Sequence, residues 1–412
     1  MTRGPGSGEG VSSLSWDPLD PDTFVDPFPT YERLRSGCPV AHSDRYGGFE
    51  MLTRFDDVVR AARDYQRFRS NSRAFVHGPP VDFVPLSLNP PEQTKYRRRL
   101  NRYVSPERMA ALEPALHEQV VELLAPLLAK GGGDLAREFA EVLPTRALCM
   151  FLHMPRERWD AIQTLQAQMI EAVLCMAADE TISLSGTDED VSTAEAQLFA
   201  ALDGAIEHLV ELRRAEPLDP EIDMISGLLA DEEISDDVVA AVAVLMFSAG
   251  SDTTYSALTS AVHHLAHDQD DQQRLREDPG LIDSAVEEFL RLYPPLHHLA
   301  RTVEGEVTIG GELIPDTSLV ALNWAAANRD PAAFPDPDIC RLDRQPNRHL
   351  TFGHGVHKCL GAPLSRLEMR VALQELLDAT ESFTATEDPI RRNEPFATGY
   401  IRLPIQLTTP KR

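Results

Sequence analysis

The residues best suited to chemistry lie in the stretch Phe352–Gly361, here named the cysteine loop, in which Cys359 follows two glycines. An amphipathic run from Ala362 to Thr380 begins directly after it. A thiolate at the start of a helix accepts backbone N–H bonds and meets the positive end of the helix dipole, which lowers the pKa of the thiol. Glycine brings no side chain, so the loop can approach a flat partner closely. The loop therefore predicts an anionic sulfur that binds a metal held in a planar ring.

Two simpler interpretations of Cys359 compete with this one. A lone cysteine near a helix start is usually a small buried hydrophobe. His354, His357 and Cys359 could instead bind zinc, but a structural zinc site usually needs four ligands with paired spacing. The zinc interpretation lacks that set because the other cysteines are scattered singly along the chain: Cys38, Cys149, Cys175 and Cys340.

A second group of reactive side chains lies in the middle of a predicted helix, Ser235 to His267. Its uncharged apolar stretch, Val238 to Ser251, predicts that this helix is buried. Here Asp252 and Thr253, named the acid–alcohol pair, follow Gly250. Polar groups buried in a helix cost free energy unless they are used or satisfied. A threonine hydroxyl can bond the carbonyl four residues earlier, and glycine weakens the helix further. The pattern predicts a local opening that admits water; the alternative is a polar pair satisfied within the helix.

A third pattern places an acid and a base, Glu288 and Arg291, three residues apart in a predicted helix, Leu281–Leu292. Side chains at this spacing share one helix face. An exposed pair of this kind contributes little. A structural role is favoured instead, together with Arg344 in a later proline-rich meander, Asp330–Pro346.

These three patterns occur in the order found in the cytochrome P-450 family, and the chain resembles that family over residues 25–408. The resemblance implies a mainly α fold with minor β structure, in which haem b lies between the long central helix and the cysteine loop. It implies that Cys359 binds the haem iron, and that the acid–alcohol pair, Asp252 and Thr253, delivers protons during oxygen activation. Glu288, Arg291 and Arg344 would hold the cysteine loop beneath the haem.

The resemblance also implies further haem contacts. Gln93 and Arg97 would reach one propionate, and Arg301 and His357 would match the other contacts. The remaining positions carried over from the family are Ala249, Gly250, Phe352 and Gly361.

A substrate pocket follows from the same resemblance, and such pockets are largely apolar with a few polar groups. His297 is the unusual member, because it could either hydrogen-bond a substrate oxygen or face water. A further wall is expected from residues 170–185. The matching positions are Val81, Phe83, Leu245, Ser248, Ala249, Leu296, His297, Phe396 and Ala397.

The distribution of charge along the chain indicates which macromolecules could bind the protein. A net charge of −26 argues against nucleic acid as a partner. One local cluster is cationic, and it is either a solvated helix face or a docking site for an acidic redox protein. The resemblance favours docking of a separate ferredoxin, which its reductase supplies with electrons from NAD(P)H. The cluster comprises Lys95, Arg97, Arg98, Arg99 and Arg102.

Length and composition indicate the class of protein and its domain organisation. The chain has 412 residues, of which 42% are hydrophobic and 25% charged, as is ordinary for a soluble globular protein. Unpaired cysteines and the lack of a signal-like segment predict a cytoplasmic protein without a membrane anchor. Residues 1–20 are expected to be disordered, and 21–412 to form a single catalytic domain. The short strands predicted near the end include a hairpin within Phe396–Leu407.

Together these features predict a haem-thiolate monooxygenase. It would activate O2 with two externally supplied electrons and hydroxylate or epoxidise a mainly apolar small molecule, in secondary metabolism or catabolism of a bacterium. Two alternatives stay open. One is the same haem chemistry used for ring closure, desaturation or coupling on a biosynthetic intermediate, and the other is a non-enzymatic haem sensor.

Overall fold

The structure is a computed structural model that describes residues 16–77, 80–178, 189–392 and 394–410, with the side chains of 169–199 left outside the description. Helices dominate and short strands make up a minor part, so the predicted mainly α class with minor β structure is confirmed. The helices are α1 (Pro21–Val25), α2 (Phe28–Gly37), α3 (Phe55–Arg63), α4 (Glu92–Leu100), α5 (Pro106–Lys130), α6 (Val142–Phe151), α7 (Trp159–Ala178), α8 (Glu189–Ala215), α9 (Met224–Leu229), α10 (Asp236–His267), α11 (Gln269–Glu277), α12 (Ile282–Leu292), α13 (Trp324–Ala327) and α14 (Ala362–Ala379).

The strands are short and lie mostly in the first and last quarters of the chain. They are β1 (Val40–Ser43), β2 (Phe49–Leu52), β3 (Phe68–Arg69), β4 (Gly132–Asp134), β5 (His298–Val303), β6 (Val307–Ile309), β7 (Glu312–Ile314), β8 (Leu319–Asn323), β9 (Ser382–Ala385), β10 (Ile390–Arg391), β11 (Tyr400–Arg402) and β12 (Pro404–Thr408).

The long helix α10 is the central element of the fold. Asp236 and Asp237 in its first turn and His264 and His267 in its last turn complement the helix dipole. By length and composition this helix could cross a membrane. Here it instead packs against α6, α8 and α14 and buries residues on several sides, including Phe247. The prediction of a buried helix is therefore confirmed.

A five-stranded sheet in the order β1-β2-β8-β5-β3 forms the largest β unit among the described residues. Only β2 and β8 run parallel; the other neighbours are antiparallel. Arg301 lies on the fourth strand of that order, β5, opposite Val320 of β8. The sheet thus fixes the backbone from which Arg301 extends.

Two predictions about the chain ends differ from the structure. No hairpin forms within Phe396–Leu407, because β11 pairs with β10, whereas β12 pairs with β4 and β9. Residues 1–15 lie outside the description, but Trp16 is buried, with its ring edge-on to those of Tyr31, Phe49 and Phe396. Residues 16–20 therefore belong to the folded body rather than to a disordered segment.

Candidate active site

The cysteine loop is held from within and by the helix beside it. The Cys359 N–H donates to the Phe352 carbonyl at 2.8 Å. Gly355 has a φ of +73°, and a Cβ added there would lie 2.3 Å from the carbonyl oxygen of Ala62 in α3. Because both the backbone angle and the contact exclude a side chain, glycine is required at this position. The loop therefore sits directly against α3.

The electrostatics of Cys359 differ from the sequence-based expectation. Burial raises the pKa of its thiol, and this effect outweighs the opposing backbone N–H bonds from Gly361 and Ala362 and the charge of Arg97. The residue nevertheless keeps exposed surface. Burial therefore opposes ionisation of the thiol, whereas a bound metal cation would favour the thiolate.

Cationic and imidazole groups converge near the cysteine. Arg301 is buried, its one described hydrogen bond goes to the carbonyl of Ala300, and burial lowers its pKa to about 10. Burial together with the charges of Arg301 and Arg97 lowers the pKa of His357 to about 3. His357 Nε2 lies 3.0 Å from the hydroxyl of Ser70. Within the described residues no carboxylate pairs with Arg301 or Arg97, so this region is suited to an anionic group.

Gln93 does not take the position expected for a propionate ligand. Its side chain is buried, and its amide nitrogen donates to the carbonyl of Val356 in the cysteine loop at 2.7 Å. The amide is satisfied by the loop backbone, so Gln93 anchors the loop. Arg97, one turn later on α4, lies close enough to Cys359 for their charges to interact.

One face of α10 carries the acid–alcohol pair. Ala249 is exposed, and Leu245, Ser248, Asp252 and Thr253 are half-buried on the same face. The Thr253 hydroxyl donates to the carbonyl of Ala249 at 2.8 Å. The helix nevertheless runs unbroken, so the predicted local opening is not present. Gly250 instead permits close packing, since a Cβ there would lie 3.1 Å from the side chain of Leu148 in α6.

The carboxylate of Asp252 is held by an arginine from the far end of the chain. Arg392 donates to Asp252 at 2.5 Å, to the hydroxyl of Ser256 at 2.8 Å and to Glu394 at 2.6 Å. The side chain of Arg392 is almost completely buried, whereas that of Asp252 is 37% exposed. Although burial alone would lower the pKa of Arg392, the two carboxylates raise it well above its usual range. Asp252 is therefore fixed on one side and open on the other.

The three residues of the predicted structural triad form one ion-paired cluster. Arg291 donates two bonds of 2.8 Å to Glu288, and Arg344 donates to both oxygens of the same carboxylate at 3.0 Å. All three side chains are buried. The two arginines also bond the carbonyl of Asn328 and four carbonyls of the meander, namely those of Pro335, Asp336, Pro337 and Ile339. The triad thus ties α12 to the meander that precedes the cysteine loop.

Two predicted pocket residues are packed elsewhere. Both ring nitrogens of His297 are bonded, to the Tyr31 hydroxyl at 3.1 Å and the Thr398 hydroxyl at 2.8 Å, and the residue is buried. His297 therefore neither faces water nor offers a free nitrogen to a substrate. Phe396 is also buried in the aromatic core that includes Trp16. Satisfied hydrogen bonds and ring packing, respectively, explain both placements.

The other predicted pocket positions have mixed exposure. Phe83, Leu296 and Ala397 are half-buried, and Leu296 pairs with Ala397 in an isolated bridge. Val81 is exposed. The predicted wall from 170 to 185 lies outside the residues whose side chains are described.

The cationic cluster of α4 is largely neutralised. Arg97 turns towards Cys359, Arg99 binds Asp231 and Glu233, and Lys95 also lies near Glu233. Arg102 pairs with Glu221. Arg98 stays exposed beside an open groove whose lining includes Tyr65, Gln66, Arg69, Thr94 and Lys95. The surface is therefore less basic than the sequence cluster suggests.

Sequence reasoning missed two sets of contacts. The Arg392–Asp252 pair joins residues that are far apart in the chain. Glu287, the neighbour of Glu288, binds Arg366 of α14 at 2.6 and 2.8 Å and His349 at 3.1 Å. Burial opposes ionisation, but these bonds outweigh it and lower the pKa of Glu287 to about 2. In the sequence, only the adjacency of Glu287 to Glu288 on α12 indicated an ion pair at Glu287 as well.

Comparison with known proteins agrees with this geometry. The family model named Cytochrome P450 matches residues 153–279 and 280–408. Cytochrome P450 130 of Mycobacterium tuberculosis is 33% identical over 406 residues, covering 94% of this chain and 95% of that protein. Vitamin D(3) 25-hydroxylase of Pseudonocardia autotrophica is 33% identical over 403 residues, covering 93% of this chain and 94% of that protein.

A solved structure extends the likeness to the fold. CYP109E1 from Bacillus megaterium in complex with corticosterone matches with a TM-score of 0.82 and 25% identity, covering 94% of this chain and 100% of that chain. The chain belongs to the cytochrome P450 family. This P450 is thus a monooxygenase that uses a haem iron cofactor, so the zinc and sensor alternatives are set aside.

The residues present fit such a cofactor. The cysteine loop carries one cysteine at an exposed position, and Gly355 lets the loop backbone lie close against α3. Two buried or half-buried arginines, Arg97 and Arg301, lie near His357 without a carboxylate partner among the described residues. Haem carries two carboxylates, which would supply that missing charge.

Proposed function

We propose that this P450 hydroxylates, or epoxidises, a mainly apolar small molecule, with haem b held by Cys359 and electrons drawn from NAD(P)H through a separate ferredoxin reductase and ferredoxin. Bound haem iron would supply the reductive activation of O2 and the transfer of one oxygen atom. We further propose that the enzyme acts in the bacterial cytoplasm, in secondary metabolism or catabolism.

The observation that carries this proposal is the arrangement on α10. Asp252 and Thr253 lie side by side on a face that also presents Leu245 and Ala249. An apolar wall next to a carboxylate and a hydroxyl suits a site that binds an apolar molecule and delivers protons beside it. In this assignment Asp252 transfers protons from solvent, and the Thr253 hydroxyl passes them on after leaving its bond to Ala249. Arg392 keeps the Asp252 carboxylate in position.

The proposed haem contacts fall into groups according to the part of the haem that each would bind. Cys359 supplies the ligand sulfur, with Phe352 and Gly361 shaping its loop. Arg97, Arg301 and His357 would bind the two propionates. Ala249, which is exposed on α10, would lie on the opposite side, where its small side chain leaves room for a flat ring. Gly250 would contribute indirectly, by letting α10 pack closely against Leu148 of α6.

The names of related proteins support a substrate class. One relative is a Vitamin D(3) 25-hydroxylase, and a structural neighbour was solved with corticosterone. Both names point to large apolar ring systems. We therefore propose such a molecule as substrate, with Leu245, Ser248 and the half-buried Phe83, Leu296 and Ala397 contributing to its pocket.

The test has two stages. Reduced protein exposed to carbon monoxide should give the strongly red-shifted Soret band of a thiolate-bound haem, and Cys359→His should lose it. Vitamin D3 and corticosterone are then added as probes with surrogate ferredoxin, its reductase and NADPH, and products are analysed by mass spectrometry. A product 16 mass units heavier supports hydroxylation or epoxidation. A product that has lost two hydrogens, or a ring-closed or coupled product, would favour the alternative outcome of the same chemistry.

Ferredoxin docking is proposed at the open groove beside α4. Arg98 is exposed there, whereas Arg69 and Lys95, which line the same groove, already lie near Glu304 and Glu233. An acidic partner would be attracted mainly to Arg98. Arg98→Glu should raise the KM for ferredoxin several-fold and weaken its dependence on salt, while the carbon monoxide spectrum stays unchanged. An unchanged KM would place the docking surface elsewhere.

A further inference from the structure

A second group of metal-binding side chains lies where the end of α10 meets α11 and the meander. It consists of His264, Asp271 and Cys340, whose ligand atoms all lie within 4.8 Å of one another. His264 Nε2 and Asp271 Oδ2 are 3.0 Å apart. His264 and Asp271 are seven residues apart, whereas Cys340 comes from a distant part of the chain. The fold has therefore brought a nitrogen, an oxygen and a sulfur donor to one point.

The spacing of the three atoms is close to that of a tetrahedral metal centre. Zinc binds nitrogen and oxygen at about 2.0–2.2 Å and sulfur at about 2.3 Å. Tetrahedral geometry then places neighbouring ligand atoms roughly 3.3–3.8 Å apart. The three ligand atoms, which lie within 4.8 Å of one another, would therefore need to move only slightly to reach that spacing. Water could complete the fourth position.

The histidine and the aspartate are already oriented by neighbours. The Tyr293 hydroxyl lies 3.0 Å from His264 Nδ1, the nitrogen that faces away from Asp271. Metal-bound histidines usually have such a partner on the second ring nitrogen, because it fixes the ring and the tautomer. Asp271 is 7% exposed, and Arg274 lies 3.3 Å from its other oxygen, leaving Oδ2 directed at His264.

The cysteine is positioned by the structural triad. Cys340 is half-buried, and the backbone N–H of the next residue, Arg341, donates to Glu288 at 2.9 Å. This bond fixes the meander backbone at the point from which the thiol extends. Burial raises the pKa of the Cys340 thiol, so a metal would have to displace its proton on binding.

We propose that His264, Asp271 and Cys340 form a zinc site that clamps the meander to the ends of α10 and α11. One imidazole, one carboxylate and one thiolate are donors that zinc accepts, and their two negative charges would balance the ion. The site lies on elements other than the cysteine loop, and the proposal does not depend on the proposed reaction. A plain hydrogen-bonded network of the same three side chains is the competing outcome.

The experiment uses the untagged holoenzyme, equilibrated with zinc chloride and then dialysed against buffer. Zinc per chain is measured by elemental analysis, and its ligands by X-ray absorption at the zinc edge, which does not overlap with iron. Cys340→Ser and Asp271→Asn remove ligands with little change in size. His267→Ala is the matched control, because the rings of His263 and His267 lie 4.2 Å apart and could trap zinc adventitiously.

The proposal expects one zinc ion per chain, one sulfur ligand at about 2.3 Å, and affinity about tenfold or more weaker in both ligand variants. His267→Ala should bind zinc like the wild type. The carbon monoxide spectrum serves as the folding control for every variant. No retained zinc, coordination without sulfur, or loss of zinc in His267→Ala would each overturn the proposal.

A measurement on the unmodified protein guards against variants that fail to fold. Iodoacetamide labelling followed by peptide mass spectrometry reports the reactivity of Cys340. Zinc should slow that labelling at least tenfold, with no change at the buried Cys38. Equal labelling of Cys340 with and without zinc would also overturn the proposal.

Discussion

Arg392 and Asp252 are 140 residues apart in the chain, yet the guanidinium of the first holds the carboxylate of the second at 2.5 Å. The arginine is nearly completely buried and binds Ser256 and Glu394 as well, so it cannot follow the carboxylate into solvent. The partner of the proposed proton-delivering acid is therefore a fixed part of the core.

The first prediction concerns this pair. In Arg392→Ala, Asp252 loses its fixed partner, and we expect product formation to fall about a hundredfold, the lower end of the usual general acid–base contribution. Electrons should be diverted to hydrogen peroxide, and the solvent isotope effect on turnover should change. Arg392→Lys should restore part of the activity.

The neighbouring Arg391 provides the matched control, because it is exposed and bonds the carbonyl of Val25. Arg391→Ala should leave peroxide release unchanged. If Arg392→Ala couples electrons to product as well as the wild type does, Arg392 has no positioning role.

The second prediction concerns Gly355. A Cβ at this position would lie 2.3 Å from the Ala62 carbonyl, so Gly355→Ala should displace the cysteine loop and abolish the thiolate-type carbon monoxide band. Gly305 is the control, since its φ of +74° is nearly the same but nothing lies within 4 Å of an added Cβ. Gly305→Ala should cost only about 1–2 kcal/mol of stability, the cost of a left-handed backbone for alanine, and keep the band. Equal loss of the band in the two variants would show that backbone strain, and not the contact with the Ala62 carbonyl, displaces the cysteine loop.

The third prediction concerns the buried triad. Glu288→Gln leaves Arg291 and Arg344 without their carboxylate, and breaking a buried ion pair costs about 3–5 kcal/mol. We expect poor haem retention and a lower free energy of unfolding, measured by urea denaturation. Arg341→Ala, which removes only the surface pair with Asp336, should change the free energy of unfolding by less than about 1 kcal/mol. A stable, haem-loaded Glu288→Gln protein would contradict the structural assignment.

The fourth prediction is a pH dependence. The pKa of Glu287 falls from an ordinary 4.5 to about 2 in the folded chain, so its contribution to stability is present above pH 4.5 and is lost as pH falls towards 2. At neutral pH this amounts to about 3 kcal/mol. Glu287→Gln should therefore have a lower free energy of unfolding than the wild type at pH 7, measured by urea denaturation. The difference between the two proteins should shrink steadily below pH 4.5. A difference that stays constant down to pH 2.5 would show that the ionised Glu287 is not its cause.

Local patterns predicted the parts of the site that are close in sequence. The cysteine loop and the Glu288–Arg291 pair depend on neighbours within ten residues, and the mainly α fold depends on helical periodicity. His297 was misplaced because its partners, Tyr31 and Thr398, are 266 and 101 residues away. A side chain's partners across the fold decide whether it faces a pocket, and a single sequence does not contain them.

Arg301 has a wider consequence for how the protein matures. Its buried guanidinium lies near His357 and Arg97 and has no acid partner among the described residues. Burying an unpaired charge costs free energy, so the protein without cofactor is less stable than it would be with a carboxylate beside Arg301. The carboxylates of an incoming cofactor would remove that cost, so cofactor insertion becomes the last step of folding rather than an addition to a finished protein. Iron and porphyrin supply in the cell would then set how much of the chain survives proteolysis, because unfilled copies unfold more often.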